Sequence, residues 1–247
     1  MQKHPVPQVI GAARPLVKWA GGKRRLLPHI LPALLSRKRL VEPFVGGGAI
    51  FLSAEGFEEY LLSGSNRHLI DLYQVVTERP QQFVDIASRF FDESYRTPER
   101  YKEMRCAFNE ESDVLMRAAQ FFYLNRFGFN GLCRYNRSGQ FNVPYGHPKQ
   151  VPRFPTSKIF AFAKRARRAT FLHGDFADVM RITTADDVVY CDPPHLDRYE
   201  AVSFRAYAAA GFGMDRQREL ADLARELAAR GIPVVVSNHD CAIARGL

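Results

Sequence analysis

The sequence predicts an α/β fold in which a parallel β-sheet carries a mostly helical insertion. Short apolar runs alternate along the chain with segments of helical periodicity, which is typical of βαβ units. Between two of these runs, YLLS and ATFLH, roughly a hundred residues carry helical signals, far more than a single crossover needs. With 247 residues and 46% hydrophobic content, the chain can bury a substantial core.

Five of the apolar runs are predicted to be strands. In chain order they are RLVEPF at 39–44, YLLS at 60–63, ATFLH from Ala169, DDVVYCD at 186–192 and IPVVVSN at 232–238. Short runs of this kind, separated by helices, are typical of a parallel sheet that is covered on both faces.

The clearest predicted helix is DRQRELADLARELAARG, which leads into the last predicted strand. Its apolar residues form one stripe, and Gly231 is a typical C-terminal stop; the stripe consists of Leu220, Leu223, Ala224 and Leu227. Helical signals within the insertion are PERYKEMRCAFNE and DVLMRAAQFFYLNRF. We place the insertion at 75–153, which leaves 1–74 and 154–247 for the sheet domain.

Charge and cysteine content narrow the class of protein. The net charge of +9 favours a polyanionic partner, with nucleic acid ahead of an anionic membrane surface. No stretch approaches the length that spans a bilayer, and no apolar leader is visible, so a cytoplasmic location and no membrane contact are expected. The four cysteines stand far apart without C-x-x-C spacing, which predicts reduced thiols and no metal.

Two glycine-containing stretches indicate a ligand site near the start of the sheet. In LVEPFVGGGAIFLS, a strand is followed by Gly46, Gly47 and Gly48 and then by a helix, an arrangement that lets a nucleotide-like ligand approach the backbone. A flexible turn explains this motif equally well on its own. In LVKWAGGKRRLLPHI, Lys18 and Lys23 bracket Trp19 and a glycine pair. The alternative for this stretch is a core tryptophan and a solvated lysine.

The stretch VVYCDPPH combines groups suited to binding an amine. A buried strand ends at Asp192, and Pro193 and Pro194 follow before His195. A carboxylate beside a rigid carbonyl can accept both hydrogens of an exocyclic amine, because proline carbonyls are held on a stiff backbone. A structural turn would explain the prolines, but not the aspartate and the adjacent ring.

A third region, at 121–148, mixes aromatic residues with arginines, amides, glycines and prolines. Such a composition predicts an exposed ribbon or loop that contacts phosphates and bases. A core-forming hairpin is the alternative, although it would not need so many arginines. For the basic run KRARR at 164–168, a solvated helix face is the better interpretation.

Six motifs occur in an order that resembles the Dam-type DNA adenine-N6 methyltransferases: LVKWAGGK, VEPFVGGGAIFLS, NRFGFNGLCRYN, GQFNVPYG, VVYCDPPH and IPVVVSNHD. The resemblance runs from about Pro15 to Asp240. It implies a Rossmann-like methyltransferase sheet that binds S-adenosylmethionine, with a helical, hairpin-bearing target-recognition subdomain at 75–153. It further implies methylation of adenine N6 in double-stranded GATC sites, with the target base flipped out, by a monomer in a bacterial or phage-infected cell.

The resemblance also assigns roles to individual residues. The catalytic motif is Asp192, Pro193, Pro194 and His195. The donor site consists of Trp19, Lys23, Phe44, Gly46, Gly48, Asp175, Phe176 and Asp192. The expected DNA contacts are Lys18, Arg126, Phe129, Asn130, Leu132, Arg134, Asn136 and Pro144, with Phe129 as a wedge and Lys18 on the first guanine.

The sequence departs from the family pattern at four points. His195 stands where the family has a tyrosine that stacks on the target base, and Gly64 where it has an acidic residue for the donor ribose. His147 replaces an arginine, and after Leu247 the family's closing hairpin is expected to be missing from the sheet. Two interpretations remain open, a weakened methyltransferase and a GATC-binding pseudoenzyme. An RNA methyltransferase would share the D-P-P motif but not the hairpin.

Overall fold

A computed structural model describes residues 14–194 and 212–247 of the chain. Five strands form one sheet in the order β3-β2-β1-β4-β5, and every pairing is parallel. The strands are β1 (Arg39–Glu42), β2 (Glu59–Gly64), β3 (Ala169–His173), β4 (Asp187–Cys191) and β5 (Val234–Val236). The predicted parallel sheet is therefore confirmed. The strand order reverses between β1 and β4, and open α/β sheets bind ligands at such a point.

Ten α-helices surround this sheet within the described ranges. They are α1 (Leu27–Ala33), α2 (Ala49–Ser53), α3 (Arg67–Glu78), α4 (Pro80–Ala87), α5 (Pro98–Glu110), α6 (Val114–Phe127), α7 (Thr156–Ala166), α8 (Phe176–Arg181), α9 (Met214–Ala229) and α10 (Ala242–Gly246). Short 3₁₀ turns occur at Lys23–Leu26, Ser88–Phe90, Glu93–Tyr95 and Phe129–Gly131. Helix α9 is the predicted amphipathic helix, and Gly231 follows it with a φ of +76°. None of the described helices is long and apolar enough to cross a membrane.

Alternate side chains of the strands pack into two separate cores, one on each face of the sheet. Leu40 and Leu62 point into the larger core, which also takes in α3, α7 and the insertion. Val41 and Leu61, their neighbours in sequence, belong to the smaller core beneath α8 and α9. This alternation follows from the two-residue period of a strand. It explains why neighbouring residues in the middle of these strands are both apolar.

The insertion is built around α6, which is enclosed by α3, α4 and α5. Four consecutive residues of α6 are fully buried, from Phe121 to Leu124, so the helix is apolar around its circumference, as a central helix must be. The predicted boundary at 75 falls within α3, where Val75 and Val76 are buried in the core shared with the sheet. The division into two domains stays a prediction.

The interpretation of KRARR as a solvated face is wrong for Arg165. Its guanidinium donates to the carbonyls of Phe51 and Ala54 and to the hydroxyl of Tyr60, and it lies over the Tyr60 ring at 4.9 Å. Arg168 donates to the Phe57 carbonyl at 2.9 Å. The accepting carbonyls belong to α2 and to the segment between α2 and β2. The run therefore fastens α7 to the sheet domain.

Candidate active site

A cavity of about 490 Å³ opens at the carboxyl ends of β1, β2 and β4. Five of the predicted donor-site residues line it: Trp19, Lys23, Phe44, Gly46 and Asp192. Both prolines of the D-P-P motif, Pro193 and Pro194, also line it. The cavity thus lies at the crevice where the strand order reverses, the position expected for a ligand in this class of fold.

The glycine turn after β1 packs directly against Trp19. Gly46 has a φ of +45°, and a Cβ there would come within 3.0 Å of Cδ1 of the Trp19 ring. The hydroxyl of Tyr73, a residue of α3, donates to the Gly46 carbonyl at 2.8 Å and so holds the turn in place. A side chain at Gly46 would therefore be strained in its backbone and would displace the indole from the cavity wall.

Lys23 and Asp192 form an ion pair on the cavity wall. The Nζ of Lys23 lies 2.6 Å from Oδ1 of Asp192 and also donates to the Gly21 carbonyl at 3.0 Å. Burial raises the pKa of Asp192, and the hydrogen bond and charge of Lys23 oppose that rise. The lysine predicted to hold the donor therefore also supports ionisation of the predicted catalytic carboxylate.

Glu42 is a cavity residue that the sequence analysis missed. It ends β1, is 2% exposed, and its Oε1 has no hydrogen-bond partner among the described residues. Desolvation raises its pKa to about 8; a hydrogen bond with the Phe51 backbone opposes that rise, and the charge of Asp192 adds to it. Burial thus favours the protonated form of this carboxyl group. A lone acidic residue inside the apolar run RLVEPF was the signal that could have found it.

Three predicted donor-site residues do not line this cavity. Gly48 opens α2 with a φ of +71°. Asp175 caps α8 by accepting from the amide of Ala177 at 2.9 Å and pairs with Arg216. Phe176 is buried and stacks on Phe44 at 5.1 Å between ring centroids. Phe176 therefore supports a residue of the wall instead of forming it.

The predicted recognition segment follows α6 as a turn and a short hairpin. Antiparallel bridges join Gly128 to Tyr145 and Tyr135 to Phe141. At the tip, Oδ1 of Asn136 accepts from the amides of Ser138 and Gln140, so this predicted DNA contact has a structural task in the turn. The Pro144 carbonyl accepts from the Phe129 amide at 2.9 Å, which closes the base of the hairpin.

The same segment exposes apolar side chains. Phe129 is 48% exposed and Leu132 is 38% exposed, while Asn130 between them has a φ of +52°. Asparagine tolerates this left-handed conformation better than most residues. Two large apolar groups are thus presented to solvent from a tight turn, as an element that inserts between bases requires.

Arg134 is held across the hairpin by Asn142. Its Nε donates to Oδ1 of Asn142 at 2.8 Å and its Nη2 to the Asn142 carbonyl at 3.1 Å. The Nη1 group makes no hydrogen bond among the described residues. The guanidinium is therefore oriented by the protein while it keeps donors for a further acceptor.

Lys18, next to Trp19 in the sequence, connects its own segment to α6 and to the turn Phe129–Gly131. Its amide and carbonyl both pair with the Asn125 side chain at 2.8 Å, and its Nζ donates to the Arg126 carbonyl at 3.3 Å. Burial, followed by the charge of Arg126, lowers the pKa of Lys18. A Cβ on Gly131 would approach the Lys18 Cβ to 2.3 Å, so only glycine fits this contact.

Arg126 has contacts that differ from its predicted role. Its guanidinium donates to the Leu16 carbonyl and lies over the Phe122 ring at 5.1 Å, and burial lowers its pKa. The geometry favours a structural role over the predicted DNA contact, because the side chain fastens the N-terminal segment to α6. His147, in the place of a family arginine, has a φ of +48° and packs on Tyr145.

Comparison with known proteins identifies the family. The model of the D12 class N6 adenine-specific DNA methyltransferases matches residues 19–247. The chain belongs to this family. The resemblance drawn from the six motifs is therefore confirmed, and so is the methyltransferase fold.

Curated relatives agree with the family model. A DNA adenine methylase of Vibrio cholerae is 43% identical over 235 residues, covering 95% of this chain and 84% of the relative. The DNA adenine methylase of Escherichia coli K12 is 42% identical, with 94% and 83% covered. That of Haemophilus influenzae is also 42% identical, with 94% and 82% covered. The protein is accordingly an adenine-specific DNA methyltransferase, and DNA is its substrate class.

The structure describes only one of the two departures from the family pattern, Gly64 and His195, that concern the predicted donor and catalytic residues. His195 lies outside the described residues. Gly64 ends β2 and lines the cavity, where a Cβ would meet only Ile70 Cδ1 at 3.7 Å and Val45 Cγ1 at 3.8 Å. An acidic side chain would therefore fit at this position. In the described ranges, no group of three or more His, Cys, Asp or Glu residues is placed to bind a metal.

Further cavity residues escaped the sequence analysis, namely Asn66, Tyr190 and His239. Asn66 caps α3 by accepting from the Leu69 amide, and its Nδ2 lies 3.3 Å from both Cys133 Sγ and the Tyr135 hydroxyl. A helix-capping asparagine was visible in the sequence, but its contact with the hairpin was not.

Proposed function

We propose that the protein transfers the methyl group of S-adenosylmethionine to N6 of adenine in duplex GATC, with the target base flipped out of the helix. The observation that carries this proposal is the position of Asp192, Pro193 and Pro194 on the wall of the cavity, with the carboxylate paired to Lys23. The protein then supplies two oxygen acceptors at one rigid segment, as recognition of an amine requires.

The residues that line the cavity fit the chemistry of the proposed donor. Trp19 and Phe44 present flat apolar surfaces, and Gly46 leaves the backbone open to a ligand. The unpartnered Oε1 of Glu42 offers a polar acceptor deep in the wall. These residues would hold the donor, which contributes an electrophilic methyl group when it is bound.

Asp192 acts on the adenine amine. The N6 lone pair is delocalised into the ring, so the amine is a poor nucleophile until it is held in line with the methyl group. Hydrogen bonds from N6 to the Asp192 carboxylate and the Pro193 carbonyl localise that lone pair. The same acceptors stabilise the positive charge that develops on nitrogen during transfer. Base flipping is needed because N6 of a stacked adenine cannot reach the cavity.

The recognition hairpin provides the proposed contacts with DNA. Phe129 and Leu132 are exposed apolar groups suited to entering the base stack, and Arg134 keeps donors for a base edge. Lys18 is adjacent to this turn through Gly131. The excess of basic residues supplies nonspecific attraction to the backbone. We propose that a monomer binds the site, and action inside a bacterial cell remains a prediction.

Transfer of labelled methyl groups tests the proposed function directly. The protein is incubated with labelled S-adenosylmethionine and a GATC duplex, and a duplex of the same composition with the site scrambled serves as the control. Label on N6 of the GATC adenine alone is the expected result. Equal label on both duplexes would contradict the specificity, and tight binding to GATC without transfer would support the pseudoenzyme.

Replacing Arg134 by alanine is expected to weaken binding to GATC by about 1–3 kcal/mol and to reduce discrimination against a scrambled duplex, because a base contact is lost. Arg225→Ala is the matched control, since it removes a cation from α9, on the opposite face of the sheet from the insertion. Titration of both duplexes at one fixed salt concentration measures the effect. A parent protein that binds both duplexes equally would overturn this assignment.

Replacing Gly64 by aspartate is expected to tighten donor binding by about 10- to 100-fold, the effect of one hydrogen bond to a charged group. The cavity has room for the side chain at this position. Gly64→Ala adds the Cβ alone and is the control for filled volume. Calorimetric titration with S-adenosylmethionine compares the three proteins, and an unchanged affinity in Gly64→Asp would show that no donor hydroxyl faces this strand end.

A further inference from the structure

Gln217 is a buried polar residue on the apolar side of α9. It is 2% exposed and precedes Leu220, Leu223 and Leu227 at spacings of three, three and four residues. A buried carboxamide without partners costs about 1–3 kcal/mol. A leucine would pack at this position without that cost. The hydrogen bonds of Gln217 must therefore account for a polar residue there.

Those hydrogen bonds join α9 to the end of the D-P-P motif. The Nε2 of Gln217 donates to the Pro194 carbonyl at 2.8 Å. Its Oε1 accepts from Nδ2 of Asn238, in the segment after β5, at 3.5 Å. The orientation of the carboxamide is determined by chemistry, since a carbonyl can only accept a hydrogen bond.

The backbone of the D-P-P segment lies beyond the last ladder hydrogen bond between β4 and β5. The pairing between β4 and β5 ends with the Ser237 amide, which donates to the Cys191 carbonyl at 2.9 Å. Pro193 and Pro194 have no N–H group, so neither can continue the ladder. The two prolines can only accept backbone hydrogen bonds, so a donor to them must come from elsewhere in the protein, and Gln217 supplies one to the Pro194 carbonyl.

We propose that Gln217 is a positioning residue for methyl transfer, which fixes the Pro194 carbonyl and so sets the orientation of the Asp192 carboxylate and the Pro193 carbonyl toward the adenine amine. This inference rests on the proposed function. Gln217 touches neither the donor nor the base, and its effect passes through the backbone of the D-P-P segment.

Two glutamines provide a matched test. Gln217→Met keeps the length of the side chain and removes the donor, and Gln74→Met does the same to a glutamine on α3 whose Nε2 donates to the Phe171 carbonyl at 3.0 Å. Single-turnover methylation of a GATC duplex is expected to slow about 3- to 10-fold in Gln217→Met, the effect of one neutral hydrogen bond. Affinity for that duplex should not change, and Gln74→Met should match the parent.

The variant Gln217→Glu distinguishes an effect on the position of the D-P-P segment from a general loss of stability. An ionised carboxylate repels the Pro194 carbonyl, whereas a protonated one can donate to it, so the rate of this variant relative to the parent should rise as pH falls. Gln217→Met should show no such rise. Hydrogen exchange without donor or DNA gives a second measurement, and peptides covering Ser237 and Asn238 should exchange faster in Gln217→Met than in Gln74→Met.

The outcomes distinguish this inference from the proposed function. If the parent transfers methyl groups and Gln217→Met is as fast as Gln74→Met, the positioning role is wrong and the proposed function stands. A parallel pH profile for Gln217→Glu and the parent also overturns the positioning role. If the parent itself transfers no methyl group to GATC, both proposals fail together.

Discussion

Replacing Asp192 by asparagine is expected to slow methyl transfer by about 10²- to 10³-fold, the effect of removing one preorganised group that stabilises developing charge. The neutral amide keeps the shape of the side chain but loses the negative charge that faces the amine. It also removes the carboxylate partner of Lys23, whose Nζ lies 2.6 Å from Oδ1 of Asp192 in the parent protein. Single-turnover methylation of a GATC duplex measures the loss.

Binding measurements separate this effect from a failure to recognise DNA. The hairpin that carries Phe129 and Arg134 is a different segment of the chain, so affinity of Asp192→Asn for GATC should equal that of the parent. Asp186→Asn is the control, since it removes a carboxylate just before β4, at the opposite end of that strand. A variant with unchanged transfer rate would exclude Asp192 as the acceptor for the amine.

The sheet could be predicted from the sequence because its signals are local. Strand positions follow from apolar runs of four to seven residues, and α9 follows from its stripe of leucines. The predicted ends of the strands were less accurate next to a proline. RLVEPF was predicted through residue 44, but β1 ends at Glu42, because Pro43 lacks the N–H that a further pairing would need. For the same reason β5 begins only after Pro233.

Several contacts of arginines could not be predicted, because they join residues that are far apart in the sequence. Arg126 was expected to contact DNA, whereas in the structure its guanidinium donates to the Leu16 carbonyl. Arg165 was expected in solvent and instead binds three oxygens beside β2. Arginine in a sequence shows that five donors are present, but not which acceptors they meet.

The catalytic motif shows the same limit within a few residues. That Asp192 and two prolines follow a buried strand was plain from VVYCDPPH. The ion pair with Lys23 and the bond from Gln217 were not, because both partners come from other elements of the fold. The sequence thus pointed to the carboxylate that we propose as the acceptor for the amine, whereas its ion pair and its orientation depend on residues that only the fold brings near.

Replacing Glu42 by glutamine is expected to stabilise the protein at high pH. The native carboxyl has a pKa of about 8, because burial disfavours its charged form, whereas an exposed glutamate in the unfolded chain ionises near 4.5. Between these values the native state holds a proton that the unfolded state has lost, so the free energy of unfolding of the parent falls as pH rises. Below pH 4.5 both states are protonated and the contribution is fully present.

Glutamine cannot ionise, so the variant lacks this fall. The free energy of unfolding of Glu42→Gln minus that of the parent should grow between pH 5 and pH 8, by at most about 1.4 kcal/mol per pH unit, and level off above that range. Urea unfolding at a series of pH values measures the difference. Glu59→Gln, which changes an exposed glutamate at the start of β2, is the control for loss of a carboxyl group at the surface. A flat difference for Glu42→Gln would mean that the Glu42 carboxyl is already ionised in the native protein, and the cavity would then present a negative charge at this position instead of a neutral acid.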